Sequence, residues 1–259
     1  MNAGTLSGPA DSCHLLREDA ELAEAIPPER RATALENCTA EELTLGVAPR
    51  GKPTLTPLSG GVGMLVLGGL LVRRVGIDGR FGAELLGEGD LLRPWQWEAD
   101  SPTLPLQTGW SIVEPARLAL LDEGFVRRCL GPFPELAAVF VSRAMQRARN
   151  LAVNMAIVHQ ARVDVRLHML LWHLAGRWGR VRSEGTVLRL RLTHALLAEL
   201  VTARRPTVTS ALSELSRQGL VRPRGEEWLL FGAPPGELLS LDGTVSGARQ
   251  RLPREASSS

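Results

Sequence analysis

Apolar residues recur along this 259-residue chain with a period that changes from region to region, and the changes mark its elements. Residues 15–25 carry helical spacing, closed by Pro27 and Pro28. From about residue 44 to 121 the texture turns to glycine, proline and β-favouring runs. Residues 64–75 read as a strand, Ile77-Asp78-Gly79-Arg80 as a hairpin turn, and residues 108–113 and 116–121 as further strands. Short strands with glycine-rich turns indicate a sandwich or barrel. Pro132 and Pro134 then open a long helix to about residue 160. Along it Leu136, Phe140, Ala144, Ala148, Leu151, Met155 and Val158 fall at steps of three and four. A seam this narrow suits pairing with a second helix, although a core helix lying on its own sheet has the same period. Residues 162–177 form a second helix with Leu167, Leu170, Leu171 and Leu174 on one side. After Phe231 the chain is poor in aromatics and rich in Gly, Pro and Ser, the composition of a disordered tail.

The most informative pattern is in residues 192–221, which predict a helix, a tight turn and a second helix. Thr193 can cap the first helix, with Leu192 and Leu197 spaced as a hydrophobic staple across the cap. Leu197, Leu200 and Val201 supply a buried stripe, and Ala198 lets another helix approach closely. Pro206 suits the first turn of the second helix, Val208, Leu212 and Leu215 mark one face, and Gly219 ends it. The opposite face carries Arg205, Thr207, Thr209, Ser210, Ser213 and Arg217, groups able to hydrogen-bond base edges in a DNA groove. Residues 220–225 and 228–231 read as a two-stranded wing. A helical hairpin with a merely solvated polar face is the plainer alternative. Thr202 stands where such turns usually hold glycine, and a β-branched residue at positive φ costs about 1–2 kcal/mol, so a longer or differently shaped turn is the expectation.

Composition sharpens this picture. With 44% hydrophobic residues the chain can build one large or two ordinary cores. No window approaches the ~18 unbroken apolar residues of a membrane span, and the N-terminus lacks the basic-then-apolar order of a secretion signal. Cys13, Cys38 and Cys129 are odd in number and far apart, which argues against a disulfide framework or zinc set and for a reducing cytoplasm. The net charge of +2 hides an asymmetry: residues 141–231 hold fifteen arginines and six carboxylates, a formal +9. Lys52 is the chain's one lysine, so genomic composition explains part of the arginine usage. It does not explain the scarcity of acids, and excess positive charge is the footprint of a polyanion partner.

Residues 193–221 resemble the C-terminal winged helix of the cyclic-AMP receptor protein (Crp/Fnr) family of bacterial transcription regulators. The family's Arg-x-Thr-Val recognition core stands here as Arg205-Pro206-Thr207-Val208. The receptor for which the family is named has glutamate at Pro206 and a second arginine at Ser210, so the resemblance implies the fold and DNA binding but not the operator. It implies an α+β protein: a β-roll (jelly roll) effector-like domain, a long dimerisation helix and a winged helix-turn-helix. The expected boundaries are 1–30 for an N-terminal helical segment, 31–131 for the β-roll, 132–161 for the dimer helix, 162–232 for the winged domain and 233–259 for the tail. The implied partners are double-stranded DNA, a second copy of the chain and RNA polymerase. Arg205 is the expected bidentate contact to guanine, and Thr207, Thr209 and Ser210 reach bases or phosphates. Arg204, Arg217, Arg222 and Arg224 position the backbone, and Thr193 and Ser213 complete the expected DNA-binding set.

A candidate effector pocket is less well marked. Gly87-Glu88-Gly89-Asp90 resembles the family's β-roll corner, but the cyclic-nucleotide binders continue with Gly-Glu-Leu and a later Arg-Ser or Arg-Thr before Ala. Here the chain continues Leu92-Arg93-Pro94-Trp95, Arg93 is the sole cation between residues 81 and 115, and Pro94 removes a backbone donor. Cyclic AMP is therefore not the expected effector. Trp95 and Trp97 could line a pocket for a flat ligand or simply cover the sheet. The five histidines lie outside the strand region, His168 and His173 are five apart on a helix, and no phosphate loop or nucleophile elbow is present. The expectation is a DNA-binding regulator without a metal or cofactor, not an enzyme. The rival is an interaction module whose winged domain binds a protein.

Overall fold

The computed structural model describes residues 11–48, 60–93 and 106–236. It divides into two compact units, Met1–Ala152 and Val153–Ser259. No helix among the described residues is long and apolar enough to cross a membrane.

The first unit is built on an antiparallel sheet. Its strands are β1 (Asp11–His14), β2 (Thr39–Leu45), β3 (Gly63–Ile77), β4 (Arg80–Gly87), β5 (Leu91–Leu92) and β6 (Gln107–Leu121), ordered β1-β2-β6-β3-β4 with β5 also on β3. The β3–β4 turn is the one the sequence marks: Ile77 pairs with Arg80, and Asp78 and Gly79 both take positive φ, as a tight two-residue hairpin turn requires. The strands expected at 108–113 and 116–121 are one strand, β6. Pro115 does not break it because the β3–β6 register shifts around Gly68 and Leu70, and a proline is tolerated at such an irregularity. Gly69, at φ +89°, lies so close to the Pro115 carbonyl that a Cβ would not fit.

Helices cover one side of this sheet. Residues 15–25 split into α1 (Leu15–Glu18) and α2 (Ala20–Ala25), because Asp19 leaves the helix and its carboxylate accepts from Leu22 N at 3.2 Å. Pro28 opens a further helix instead of closing one: α3 (Pro28–Asn37) begins with it, at the position where a missing N–H costs nothing. A short turn, α4 (Glu123–Phe125), runs on into a wide π-type turn over Val126–Leu130 and leads to the long helix α5 (Pro134–Val158). Leu136 and Phe140 of α5 are buried with Leu15, Leu22, Ile26 and Phe125, and the Phe125 and Phe140 rings meet edge to face at 6.3 Å. These two positions of the expected dimer seam are therefore core of the chain's own unit. Helical spacing alone does not distinguish the two roles. Further along, Val141, Ala144, Met145, Ala148, Ala152 and Met155 are exposed.

The second unit contains α6 (Val163–Trp178), β7 (Gly179–Arg182), β8 (Gly185–Leu188), α7 (His194–Leu200), α8 (Arg205–Arg217), β9 (Val221–Arg224) and β10 (Glu227–Leu230). Its sheet runs β7-β8-β10-β9, so the expected two-stranded wing is half of a four-stranded sheet. Helix α8 packs on α6 and α7 with Val208, Ala211, Leu212 and Leu215 buried. Burying side chains of this size contributes about 1.5–3 kcal/mol each for the leucines and valine. That apolar underside leaves the other face of α8 to solvent.

Candidate nucleic-acid interface

The two-helix unit is assembled as its sequence specifies. Thr193 Oγ1 accepts from Leu196 N at 3.2 Å and caps α7, while Leu192 and Leu197 are both buried on either side of the cap. Once its oxygen is engaged in the cap, the Thr193 hydroxyl still has a proton to donate. Pro206 is in the first turn of α8, and Gly219, at φ +70°, follows its last turn.

The turn between the helices is the ordinary tight one, against the expectation of a longer or differently shaped connection. Thr202 adopts the left-handed conformation at φ +53°, and Ala203 N donates to Ala198 O at 2.9 Å. What holds a β-branched residue there is Arg166 of α6, which donates to the carbonyls of Val201 at 3.2 Å and Thr202 at 3.5 Å. Strained backbone persists where its surroundings over-determine it, and the Arg166 clamp was not legible beforehand because it joins residues 35 apart. Thr202→Gly is expected to stabilise the unit by about 0.5–1 kcal/mol: relief of the left-handed penalty outweighs the extra chain entropy of glycine. Chemical denaturation of the two proteins checks this, and a destabilised glycine variant would show that the threonine side chain contributes to the turn.

The exposed face of α8 carries every residue expected there. Arg205, Thr207, Thr209, Ser210, Ser213 and Arg217 are all exposed. They differ in how committed they already are. Thr209 donates to Arg205 O at 3.1 Å, Ser210 to Pro206 O at 3.2 Å and Ser213 to Thr209 O at 3.0 Å. These return bonds are weak competitors that a stronger acceptor can displace. His194 Nδ1 also lies 2.9 Å from Thr209 Oγ1, tying the start of α7 to α8. The sequence reading had not singled out this histidine. The Thr207 hydroxyl makes no hydrogen bond among the described residues.

The arginines sort the same way. Arg217 is paired with Glu214 at 2.6 Å, and that contact raises its pKa while lowering the carboxylate's. Arg224 is held by Glu184 at 2.8 Å and Glu227 at 2.9 Å, with its pKa raised by Glu227 first and then Glu184. Arg222 stacks over the Phe231 ring, 5.2 Å from its centre. Arg204 and Arg205, exposed at the start of α8, have no carboxylate partner among the described residues. Of the arginines expected to meet DNA, they are the guanidiniums most available to a ligand.

The basic asymmetry is smaller than the sequence count suggests. Arg143 pairs with Asp19 and Glu21, and Arg147 with Glu84, carboxylates that lie outside residues 141–231. From residue 153 to 231 twelve arginines face six carboxylates, an excess of +6. Exposed Arg180 and Arg182 on β7 belong to it, at the sheet edge opposite β9.

The candidate effector corner behaves as a structural turn. Asp90 is buried and its carboxylate accepts from Gly87 N at 2.9 Å, while Gly89 N and Asp90 N donate to Val66 O and Gly87 O. The donors an anion would need at Gly87, Gly89 and Asp90 are thus already used, and Glu88 adds a negative charge beside them. Trp95, with Pro94 and Trp97, lies outside the described residues.

Comparison with known proteins agrees with this geometry. Residues 165–230 match the family model of the Crp-like helix-turn-helix domain. A CRP-like cAMP-activated global transcriptional regulator of Mycobacterium tuberculosis is 28% identical over 128 residues, 49% of this chain and 56% of that protein. The chain thus spans about half the length of the curated relatives it matches. Among solved structures, a cyclic nucleotide-binding domain containing protein from Listeria monocytogenes EGD-e superposes with a TM-score of 0.58 at 12% identity, covering 82% of this chain and 96% of that one. A CooA mutant from Carboxydothermus hydrogenoformans gives 0.57 at 14% identity, covering 92% and 96%. At these identities the likeness is one of fold, an antiparallel β-roll with helices and a C-terminal helix-turn-helix.

Proposed function

From a chain of the Crp/Fnr type, whose residues 165–230 form a Crp-like helix-turn-helix domain, we propose a DNA-binding transcription regulator that works as a homodimer. The observation that carries this reading is the division of α8. Val208, Leu212 and Leu215 are buried beneath, and Arg205, Thr207, Ser210 and Ser213 are exposed above. Two such helices spaced by one turn of DNA, about 34 Å, enter successive major grooves of a pseudo-palindromic site.

Within each half-site Arg205 reads a guanine, and Thr207 and Ser210 make adjustable contacts to bases or phosphates. Arg204, Arg222 and the cap hydroxyl of Thr193 grip the backbone. Arg217 and Arg224, already neutralised by carboxylates, contribute less than their positions imply, because a phosphate must first displace Glu214 or Glu227. The dimer forms along the exposed stripe Val141, Ala144, Met145, Ala148 and Ala152 of α5, not along Leu136 and Phe140.

Selection of bound fragments from random duplex DNA tests the reading. It should return a two-fold symmetric sequence, and absence of any salt-sensitive retention would favour the protein-interaction alternative. Arg222→Ala supplies a second check. Binding should weaken on all duplexes alike, and the slope of log K against log salt for the full site should fall by about 2, one phosphate contact in each half-site. A loss confined to one sequence would assign Arg222 to base reading instead.

A further inference from the structure

The three cysteines, scattered along the sequence, gather in one core of the first unit. Cys13, Cys38 and Cys129 are buried free thiols in the cluster that also holds Leu15, Phe125 and Leu136. Two of them meet. Cys129 Sγ is within hydrogen-bond reach of the Cys38 thiol and, at 3.4 Å, of Asn37 O, and its one proton serves either. The adjacent Arg128 donates to Thr39 O at 3.5 Å. Arg128 and Cys129 thus hold the carbonyls on both sides of Cys38. The Cys13 thiol instead donates to Ala40 O at 3.6 Å.

The surroundings of this pair suit thiol chemistry. Cys38 closes α3, and Cys129 is part of the π-type turn over Val126–Leu130 that leads to α5. Wide turns of this kind are rare and recur at functional positions. Both thiols are fully buried, yet Asn37 and Arg128 beside them are exposed, so the pair lies one residue beneath the surface. The two sulfurs are not equivalent. The hydrogen bond from Cys129 favours a thiolate at Cys38 and pulls its pKa down against the effect of burial. The same bond, and then burial, push Cys129 up, with the Arg128 charge opposing. Cys13 stands apart, raised by burial and then by the Glu42 and Glu18 carboxylates.

We propose that Cys38 and Cys129 are a peroxide-reactive pair that closes to a reversible disulfide, with Cys38 the attacking sulfur and Cys129 the resolving one. The Cys38 thiolate attacks one oxygen of hydrogen peroxide, the O–O bond breaks, and a sulfenic acid and hydroxide result. Cys129 loses its proton to that hydroxide, and its sulfur then displaces hydroxide from the sulfenic sulfur. The second hydroxide takes up the proton first lost from Cys38. In sum two thiols and one peroxide give one disulfide and two waters. The sulfurs lose two electrons and the peroxide oxygens gain them, and a small dithiol reverses the bond by exchange. The link ties the end of α3 to the turn that opens α5. Neither the pair nor its test depends on the DNA-binding reading.

The test treats the reduced full chain with hydrogen peroxide, counts thiols after denaturation and maps peptides by mass without reduction. Titratable thiols should fall from three to one, with Cys38 joined to Cys129 and Cys13 free, and dithiothreitol should restore all three. Because the sulfurs already meet, the link should fit without distortion and raise the melting temperature by about 5–15 °C. Oxidation in urea should instead scatter over all pairs of the three cysteines. Cys129→Ser should halt at a Cys38 sulfenic acid that dimedone traps. The parent chain alone decides the pairing, so a serine variant that fails to fold leaves the test intact. Three thiols surviving the peroxide, a link that includes Cys13 or joins two chains, sulfinic acid without a link, or a linked chain that melts no higher overturns the proposal.

Discussion

Replacing Arg205 with alanine is expected to cost the protein its sequence preference while leaving its general hold on DNA largely intact. Arg205 is exposed at the first position of α8 and has no carboxylate partner among the described residues, so its guanidinium needs no release before it engages a base. A bidentate arginine–guanine contact discriminates by about 1–3 kcal/mol, which converts to a five- to 150-fold loss in the ratio of specific to random binding at each half-site. Competition of the selected duplex against random DNA, at several salt concentrations, measures this ratio. The specific curve should move toward the non-specific one, and the non-specific curve should shift by only one phosphate contact's worth. A uniform loss on both would mean that Arg205 contacts phosphate and that the reading of bases lies elsewhere on the helix. Arg217→Ala is the internal comparison. With Arg217 already held by Glu214, its removal should change either curve less than loss of Arg205 does.

Legibility of this molecule from its sequence followed the range of the interactions involved. The cap at Thr193, the staple of Leu192 and Leu197, the buried stripe of α8 and the terminating Gly219 are set within a few residues of one another, and all were foreseen. So was the Asp78-Gly79 hairpin. Where one local signal has two meanings, the sequence misled: Pro28 both follows one helix and begins the next, and Pro115 breaks a strand unless a partner strand bulges opposite it. The β7–β8 hairpin was missed because its inward side is short, only Val187 and Leu188 of its strands being buried. The Thr202 turn was doubted because its support comes from Arg166, on another helix. Least legible was the ion-pair cluster of the first unit. Arg73, Glu84 and Arg147 share no local pattern, and only the pairing of β3 with β4, and the packing of α5 beside it, brings them together. The corner at Gly87–Asp90 drew attention for its motif, yet its donors are consumed by its own fold.

The strongest effect is expected from a single charge on the long helix. Met145 is 69% exposed and Val141 59%, large apolar side chains with Ala144, Ala148 and Ala152 beside them on α5. Their exposure means that Met145→Glu removes nothing from the chain's own core, so secondary structure and the cooperative melt of the isolated chain should be unchanged. In a helix pair the same carboxylate would face its symmetry mate across an apolar seam, with desolvation and like-charge repulsion both opposing association. Sedimentation should then show a monomer at micromolar concentration where the parent is a dimer. The consequence for DNA is larger than that of any contact residue, because two half-sites held by one rigid dimer gain an effective concentration that a monomer lacks. Loss of that linkage is worth about 10²- to 10⁴-fold in affinity for the full site, and the salt slope should fall to about half as each protein touches half the phosphates. Leu136→Glu is not an equivalent experiment, since that side chain is fully buried and its loss would unfold the unit. A Met145→Glu protein that stays dimeric and binds the full site as tightly as its parent would place the contact between copies away from this stripe.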